Sequence, residues 1–203
     1  MNERSALVLI EFQKEWMSES GKLNRLMSDR EQFGDAVKAG RRALDVARRT
    51  GTTVVHCGLR FQPGHPELAN GRFGLREAIP RFGTFPIDGA GSEFGDGFEP
   101  APGEFVVYGR TGGSGFSNSN LDGFLRNQNI EHIYLAGFAL HVCVESTLRV
   151  GHDLGYHCSL LAEATAAFTG DQRTHVLDHV VHHFGENSLI DDFAERCEHR
   201  RQP

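Results

Sequence analysis

HIYLAGFALHVCVEST, residues 132–147, begins as an apolar run and ends as the opening of a helix, with one cysteine, Cys143, at the changeover. The first half, HIYLAGF, has the length and composition of a buried strand, and VESTLRVGHDLG after it has helical character. The same unit recurs on both sides. Upstream, SALVLIEF reads as a buried strand. Residues 30–50 place Phe33, Val37, Ala43, Leu44, Val46 and Ala47 on one helical face, and Gly51 makes a stop. TTVVHC, around 52–57, is β-branched and reads as the second strand. Then come EFVVY as a strand, NLDGFLRNQN as a helix, and, past Cys143, YHCSLLAEA as a strand and QRTHVLDHVVHHFG as a helix. SLIDDFAERC begins as a strand or turn and becomes a helix. Strands separated by helices predict an α/β fold: a three-layer αβα sandwich with a mostly parallel sheet covered on both faces.

The 203 residues fit one domain spanning 1–203, with a polar tail over about 198–203. A stretch rich in Gly, Pro and Phe, about 58–103, interrupts the alternation and carries Phe61, Phe73, Phe82, Phe85, Phe94 and Phe98. So long a segment inside a compact domain predicts a functional surface, since a linker would not hold so many aromatic rings. A net charge of -6, with scattered basic residues whose densest group is Arg200 and Arg201, leaves no footprint for nucleic acid. No apolar run has the length to cross a bilayer, and the N-terminus lacks the pattern of a secretory signal. Four widely spaced cysteines, Cys57, Cys143, Cys158 and Cys197, with no CxxC pair, point to reduced thiols in the cytoplasm. A small-molecule substrate suits this balance.

Ligand sites in parallel sheets lie beyond the carboxyl ends of the strands. The first strand ends at Glu11, followed by Phe12 and Gln13. EFVVY runs into Gly109, Arg110 and the glycine-rich TGGSGFSNSN. HIYLAGF runs into Ala139, Leu140, His141 and Cys143. An acid, a permanent cation and a thiol thus converge on one edge. A helix N-terminus and a cation lower a thiol's pKa, and a carboxylate can take the thiol proton and return it to a leaving group. Backbone amides at the turn can hold an oxyanion. Taken singly each group has a plainer reading: a buried cysteine filling space, an ion pair, a flexible turn.

The segments ALVLIEFQ, VVYGRTGGSGFSNSNLDGFLR and IEHIYLAGFALHVCVESTLRVGHDLGY, followed by LLAEATAAF, resemble the isochorismatase-like cysteine hydrolases, which include nicotinamidases and N-carbamoylsarcosine amidases. The resemblance covers nearly the whole chain. It implies a six-stranded, mostly parallel sheet and an acid–lysine–cysteine triad in which Cys143 is the nucleophile, Glu11 the acid and Arg110 the cation. It also implies a cis peptide between Ala139 and Leu140, and an oxyanion hole from the amides of Leu140 and Cys143. Three positions depart from the family pattern: Glu11 stands for aspartate, Arg110 for lysine and Leu140 for threonine. Glu11 and Arg110 either pair bidentately and lock the acid away, or re-space the same triad. The implied reaction is hydrolysis of a C–N bond in a small amide or ureide through a thioester. The alternatives are vinyl-ether hydrolysis by the acid alone and a non-catalytic binding member.

Other residues carry weaker signals. Gln13, Trp16, Phe61, Phe116 and His141 are candidates for lining the pocket, with Phe12, and the aromatic rings among them suit a flat or apolar substrate. His175, His179, His182 and His183 include an i, i+4 pair but no HExxH, and His56 and His65 lack a clear DxH, so no metal is expected. GRTGGSGFSNSN lacks a P-loop ending and no GxGxxG follows the first strand, so no cofactor is expected. The resemblance implies a homo-oligomer, a dimer or tetramer, for which the His175–Phe184 surface offers an interface.

Overall fold

The computed structural model describes residues 4–199; Arg200 and Arg201 of the polar tail lie outside the described residues. In chain order the elements are β1 (Ser5–Ile10), α1 (Lys14–Met17), α2 (Arg30–Thr50), β2 (Thr53–Cys57), α3 (Leu75–Phe82), β3 (Phe105–Val106), α4 (Leu121–Asn127), β4 (His132–Gly137), α5 (Glu145–Asp153), β5 (His157–Thr165), α6 (Gly170–His179), α7 (Val181–Phe184), β6 (Glu186–Ser188) and α8 (Ile190–His199). The sheet runs β3-β2-β1-β4-β5-β6, and every neighbouring pair is parallel.

All six residues of β1 are buried because helices cover both faces. Leu7 and Leu9 join Ala43 and Leu44 of α2 and Phe193 of α8 in one core. Ala6, Val8 and Ile10 point the other way and meet Leu121 and Leu125 of α4 and Leu148 of α5. Asp29 caps α2 by accepting from the Gln32 amide, and Gly51 ends it in a left-handed conformation at φ 73°. The buried face of α2 includes Ala36 and Gly40, whereas Val37 is only half-buried.

Three expectations are corrected. The EFVVY strand is reduced to Phe105–Val106, paired with Val55 and His56, because Tyr108 is already turned to solvent ahead of Gly109. The helix expected over 172–185 is two helices, broken at Val180. The middle stretch also holds a helix of its own, α3, with Pro80 inside it.

From β1 the chain moves outward through β2 to β3, then returns to lay β4 against the other side of β1. The strand order therefore reverses between β1 and β4, and a crevice opens beyond their carboxyl ends. Ile10 pairs with both Cys57 and Gly137, so the residues just past these three strands share one edge. Gly137 is required there: at φ 129° a Cβ would collide with the Ile10 carbonyl. Among the described residues, no helix is long and apolar enough to cross a membrane.

Candidate active site

Glu11 follows β1 directly and adopts φ 55°, an uncommon conformation for a residue with a side chain. Its amide donates to the Cys57 carbonyl at 3.1 Å, and the left-handed turn carries the carboxylate inward, where the residue is 1% exposed. Oε1 accepts from Arg110 Nη2 at 2.7 Å, and Oε2 accepts from Trp16 Nε1 at 2.9 Å. The pair is therefore not bidentate. One oxygen faces the guanidinium and the other an indole, and each keeps a second lone pair.

Every N–H of Arg110 has an acceptor. Nε donates to the Gly112 carbonyl at 3.1 Å, and Nη1 to the Cys57 carbonyl at 3.2 Å and to Cys57 Sγ at 3.9 Å. Nη2 donates to Glu11 and to the Gly113 carbonyl at 2.6 Å. The glycine-rich turn after Gly109 thus wraps the guanidinium with its own carbonyls. Burial alone would weaken this cation, but Glu11 and the neighbouring Cys57 and Cys143 sulfurs outweigh it and hold Arg110 charged.

Cys143 lies in a wide helical turn, Leu140–Val144, that leads into α5. The cis peptide is Phe138–Ala139, one residue earlier than expected. The Leu140 amide donates to the Ala166 carbonyl at 2.7 Å, so it ties this turn to the end of β5 and is not available to an oxyanion. The Cys143 amide is committed too, donating to the Ala139 carbonyl at 3.0 Å, while Ala139 and Cys143 both border the cavity. Thr147 Oγ1 donates to the Cys143 carbonyl at 2.7 Å and accepts from the Gly115 amide at 2.8 Å, which fixes the cysteine's turn to the Arg110 loop. The expected lowering of the thiol pKa is reversed. Burial and then the Glu11 carboxylate push the Cys143 thiol well above its ordinary value, and Arg110 opposes them without prevailing.

Above Glu11 and Cys143 sits a cavity of about 220 Å³. Trp16 lines it, as the sequence suggested. The other lining-residue candidates lie elsewhere. Gln13 is fully buried and clamps the middle stretch: Nε2 donates to the carbonyls of Leu59 and Ser92, and Oε1 accepts from the Leu59 amide. Phe61 is core, its amide donating to the Phe85 carbonyl. Phe12 stacks on Phe98 at 4.3 Å under α2, and Phe116 stacks on Tyr156 at 5.7 Å on the far side of the sheet. His141 is half-buried with its ring edge to Phe168 at 4.5 Å, and burial lowers its pKa.

Residues that sequence reasoning missed make up most of the wall. Leu75, Ala78, Ile79 and Phe82 of α3 line the cavity, with Leu59, Phe85, Val142 and Phe168. Their signal was present: positions 75, 78, 79 and 82 are the i, i+3, i+4, i+7 stripe of an amphipathic helix. Glu15 was also missed. It is buried, and its Oε1 accepts from the Lys22 amide and Oε2 from the Phe85 amide, which holds the cavity wall to α1. Among the described residues no three His, Cys, Asp or Glu side chains are grouped to hold a metal ion.

The sequence model of the isochorismatase domain matches residues 5–192. The chain belongs to the isochorismatase family. Within it, this hydrolase is 32% identical over 178 residues to the ureidoacrylate amidohydrolase of Cronobacter sakazakii, covering 80% of this chain and 75% of that protein. It is likewise 32% identical over 203 residues to the ureidoacrylate amidohydrolase of Variovorax paradoxus, covering 94% and 80%. Among solved structures, a cysteine hydrolase from Pseudomonas syringae pv. phaseolicola matches with a TM-score of 0.82 over 97% of this chain and 93% of that one, at 22% identity. The N-carbamoylsarcosine amidase of Thermoplasma acidophilum matches at 0.71 over 93% and 97%, again at 22% identity. In this chain the strand order reverses between β1 and β4, and Glu11 and Cys143 border the cavity, with Arg110 hydrogen-bonded to Glu11 at 2.7 Å.

Proposed function

We propose that this isochorismatase-family hydrolase cleaves the C–N bond of a small amide or ureide with Cys143 as nucleophile. The observation that carries the reading is the meeting of the Cys143 thiol and the buried Glu11 carboxyl group at one apolar cavity. The relatives named as ureidoacrylate amidohydrolases support the bond type.

Because the thiol is protonated at rest, its proton moves to Glu11 as Sγ attacks the carbonyl carbon. The carbonyl π electrons collect on oxygen, and the backbone N–H of Ala139, which borders the cavity, is the donor proposed for that oxyanion. As the C–N bond breaks, Glu11 returns the proton to the departing nitrogen. Water then attacks the thioester carbonyl, passing a proton to Glu11, and the thiol leaves with it. Arg110 holds the Glu11 carboxyl group in place between turnovers; its donors are all occupied, so it is a positioning residue and not a substrate ligand. A cytoplasmic homo-oligomer is the setting proposed with this chemistry, supported by buried thiols at Cys57 and Cys158 and by the exposed Phe73 and Leu189 side chains.

Cys143→Ala is expected to abolish ammonia release from amide substrates, and rapid acid quench of the wild type to give a Cys143 acyl adduct in the mass spectrum. Full ammonia release by Cys143→Ala overturns the thiol route, and turnover of a vinyl ether that survives Cys143→Ala but is lost in Glu11→Gln favours acid-only vinyl-ether hydrolysis. Loss of neither sinks both.

A further inference from the structure

The cavity has almost no polar wall. Among the described residues, Glu11 is the only acidic or basic side chain that lines it, and the remaining polar groups are the Thr84 and Cys143 side chains and the Trp16 indole. The indole N–H already donates to Glu11. No Lys, Arg, His, Asn or Gln among the described residues lines it. The nearest buried cation, Arg110, has an acceptor for each of its five N–H groups. Lys22 is exposed, with Nζ donating to the Gly83 carbonyl, and does not line the cavity. The apolar character also continues outward: Leu26, Leu75 and Phe82 line the cavity yet are 41%, 38% and 56% exposed, so they form its rim.

A substrate carboxylate placed here would lose its hydration, find no counter-charge and face Glu11 across a low-dielectric space. The relatives carry a name that specifies a carboxylate substrate, an acrylate. From this wall we infer that the present chain takes an uncharged amide whose non-reacting part is apolar, with its carbonyl between Glu11 and Cys143 and its aryl or alkyl tail between α3 and Phe168. The size agrees: an engineered cavity of about 150 Å³ holds benzene, and this one, at about 220 Å³, has room for a phenyl-sized group and a carboxamide. The inference rests on the amide-hydrolase reading but is tested apart from it.

Trp16, the only tryptophan in the chain, lines the cavity, so its fluorescence reports occupancy without turnover. Cys143→Ala would be titrated with phenylacetamide and hexanamide and with their carboxylate counterparts, para-carboxyphenylacetamide and adipamate. The neutral pair is expected to bind about 100-fold more tightly or better. Leu75→Lys, at the exposed rim, should narrow that ratio by strengthening the carboxylates. Equal or tighter binding of the carboxylates by Cys143→Ala overturns the inference. Selective binding of the neutral amides without ammonia release from the wild type upholds it while removing the amide-hydrolase reading.

Discussion

Cys143 and Glu11 act on each other in a way that only the folded environment creates. The raised thiol pKa means that iodoacetamide should label wild-type Cys143 slowly at pH 7, with a rate that climbs roughly tenfold per pH unit through pH 9. Glu11→Gln removes a negative charge that raises the thiol pKa and leaves Arg110, which lowers it. Labelling at pH 8 should then rise about tenfold while amide turnover falls at least 100-fold, since the group that carries the proton is gone. Peptide mass spectrometry of Cys143 alkylation checks the first and ammonia release the second. Slower labelling of Glu11→Gln would count against the electrostatic reading of the site. That Glu11, Arg110 and Cys143 come together was legible in the sequence because each follows a strand of one parallel sheet, Glu11 directly and the other two after short turns. The direction of the thiol shift was not, because burial is the largest cause and burial belongs to the tertiary structure. The same holds for Gln13: its position near Glu11 suggested a pocket, but three hydrogen bonds to Leu59 and Ser92 make it a structural clamp.

At the scale of elements, α2 shows how a helix and the site edge constrain each other. Gly40 is mid-helix, where glycine ordinarily costs about 1 kcal/mol against alanine. A Cβ there would lie 2.5 Å from Phe12 Cζ and 2.6 Å from Cε1. Phe12 is fully buried and held by Phe98 at 4.3 Å and Phe138 at 4.8 Å, so it cannot yield easily. Overpacking of this kind costs about 1–3 kcal/mol, which exceeds the gain in helix propensity. Gly40→Ala should therefore lower stability by up to about 2 kcal/mol, read by urea unfolding; an increase would mean that Phe12 relaxes freely. Because Phe12 adjoins Glu11, catalytic turnover should fall with it. The amphipathic stripe of α2 was readable from sequence. That of α3 is equally regular, at positions 75, 78, 79 and 82, but Gly71, Gly74 and Pro80 around it read as breakers. The helix forms nonetheless, because Ile79 is buried in the core on the cavity side of the sheet while Leu75, Ala78 and Phe82 line the cavity.

For the molecule as a whole, the alternation of strands and helices carried the architecture, while the sheet's β3 edge was the hardest part to read. Only Phe105 and Val106 pair there, and the edge is held mainly by side chains centred on Glu104. Arg48 of α2 donates to Glu104 Oε1 at 2.7 Å and Oε2 at 3.0 Å. The Ala101 amide donates to Oε2 at 2.8 Å, and His56 Nε2 of β2 lies 2.7 Å from it. One carboxylate thus ties a helix, a strand and a loop together. Burial would raise its pKa, but Arg48, the Ala101 amide and His56 outweigh burial and bring it down from 4.5 to about 2. His56 moves down from 6.5, because burial outweighs the pull of Glu104, and is neutral at pH 7. In both cases the unfolded chain binds its proton at higher pH than the folded one, so each contributes stability that is lost as pH falls. The His56 contribution declines below about pH 6.5, and the Glu104 contribution declines from about 4.5 towards 2. Glu104→Gln should cost about 2 kcal/mol at pH 7, a value reduced for the carboxylate's partial contact with water. That difference should be more than half gone by pH 3, while the decline below pH 6.5 persists in the variant. Urea unfolding at pH 7, 5 and 3 separates the two, and a Glu104→Gln penalty that stayed constant across that range would mean that the β3 edge is held by packing and not by this charge.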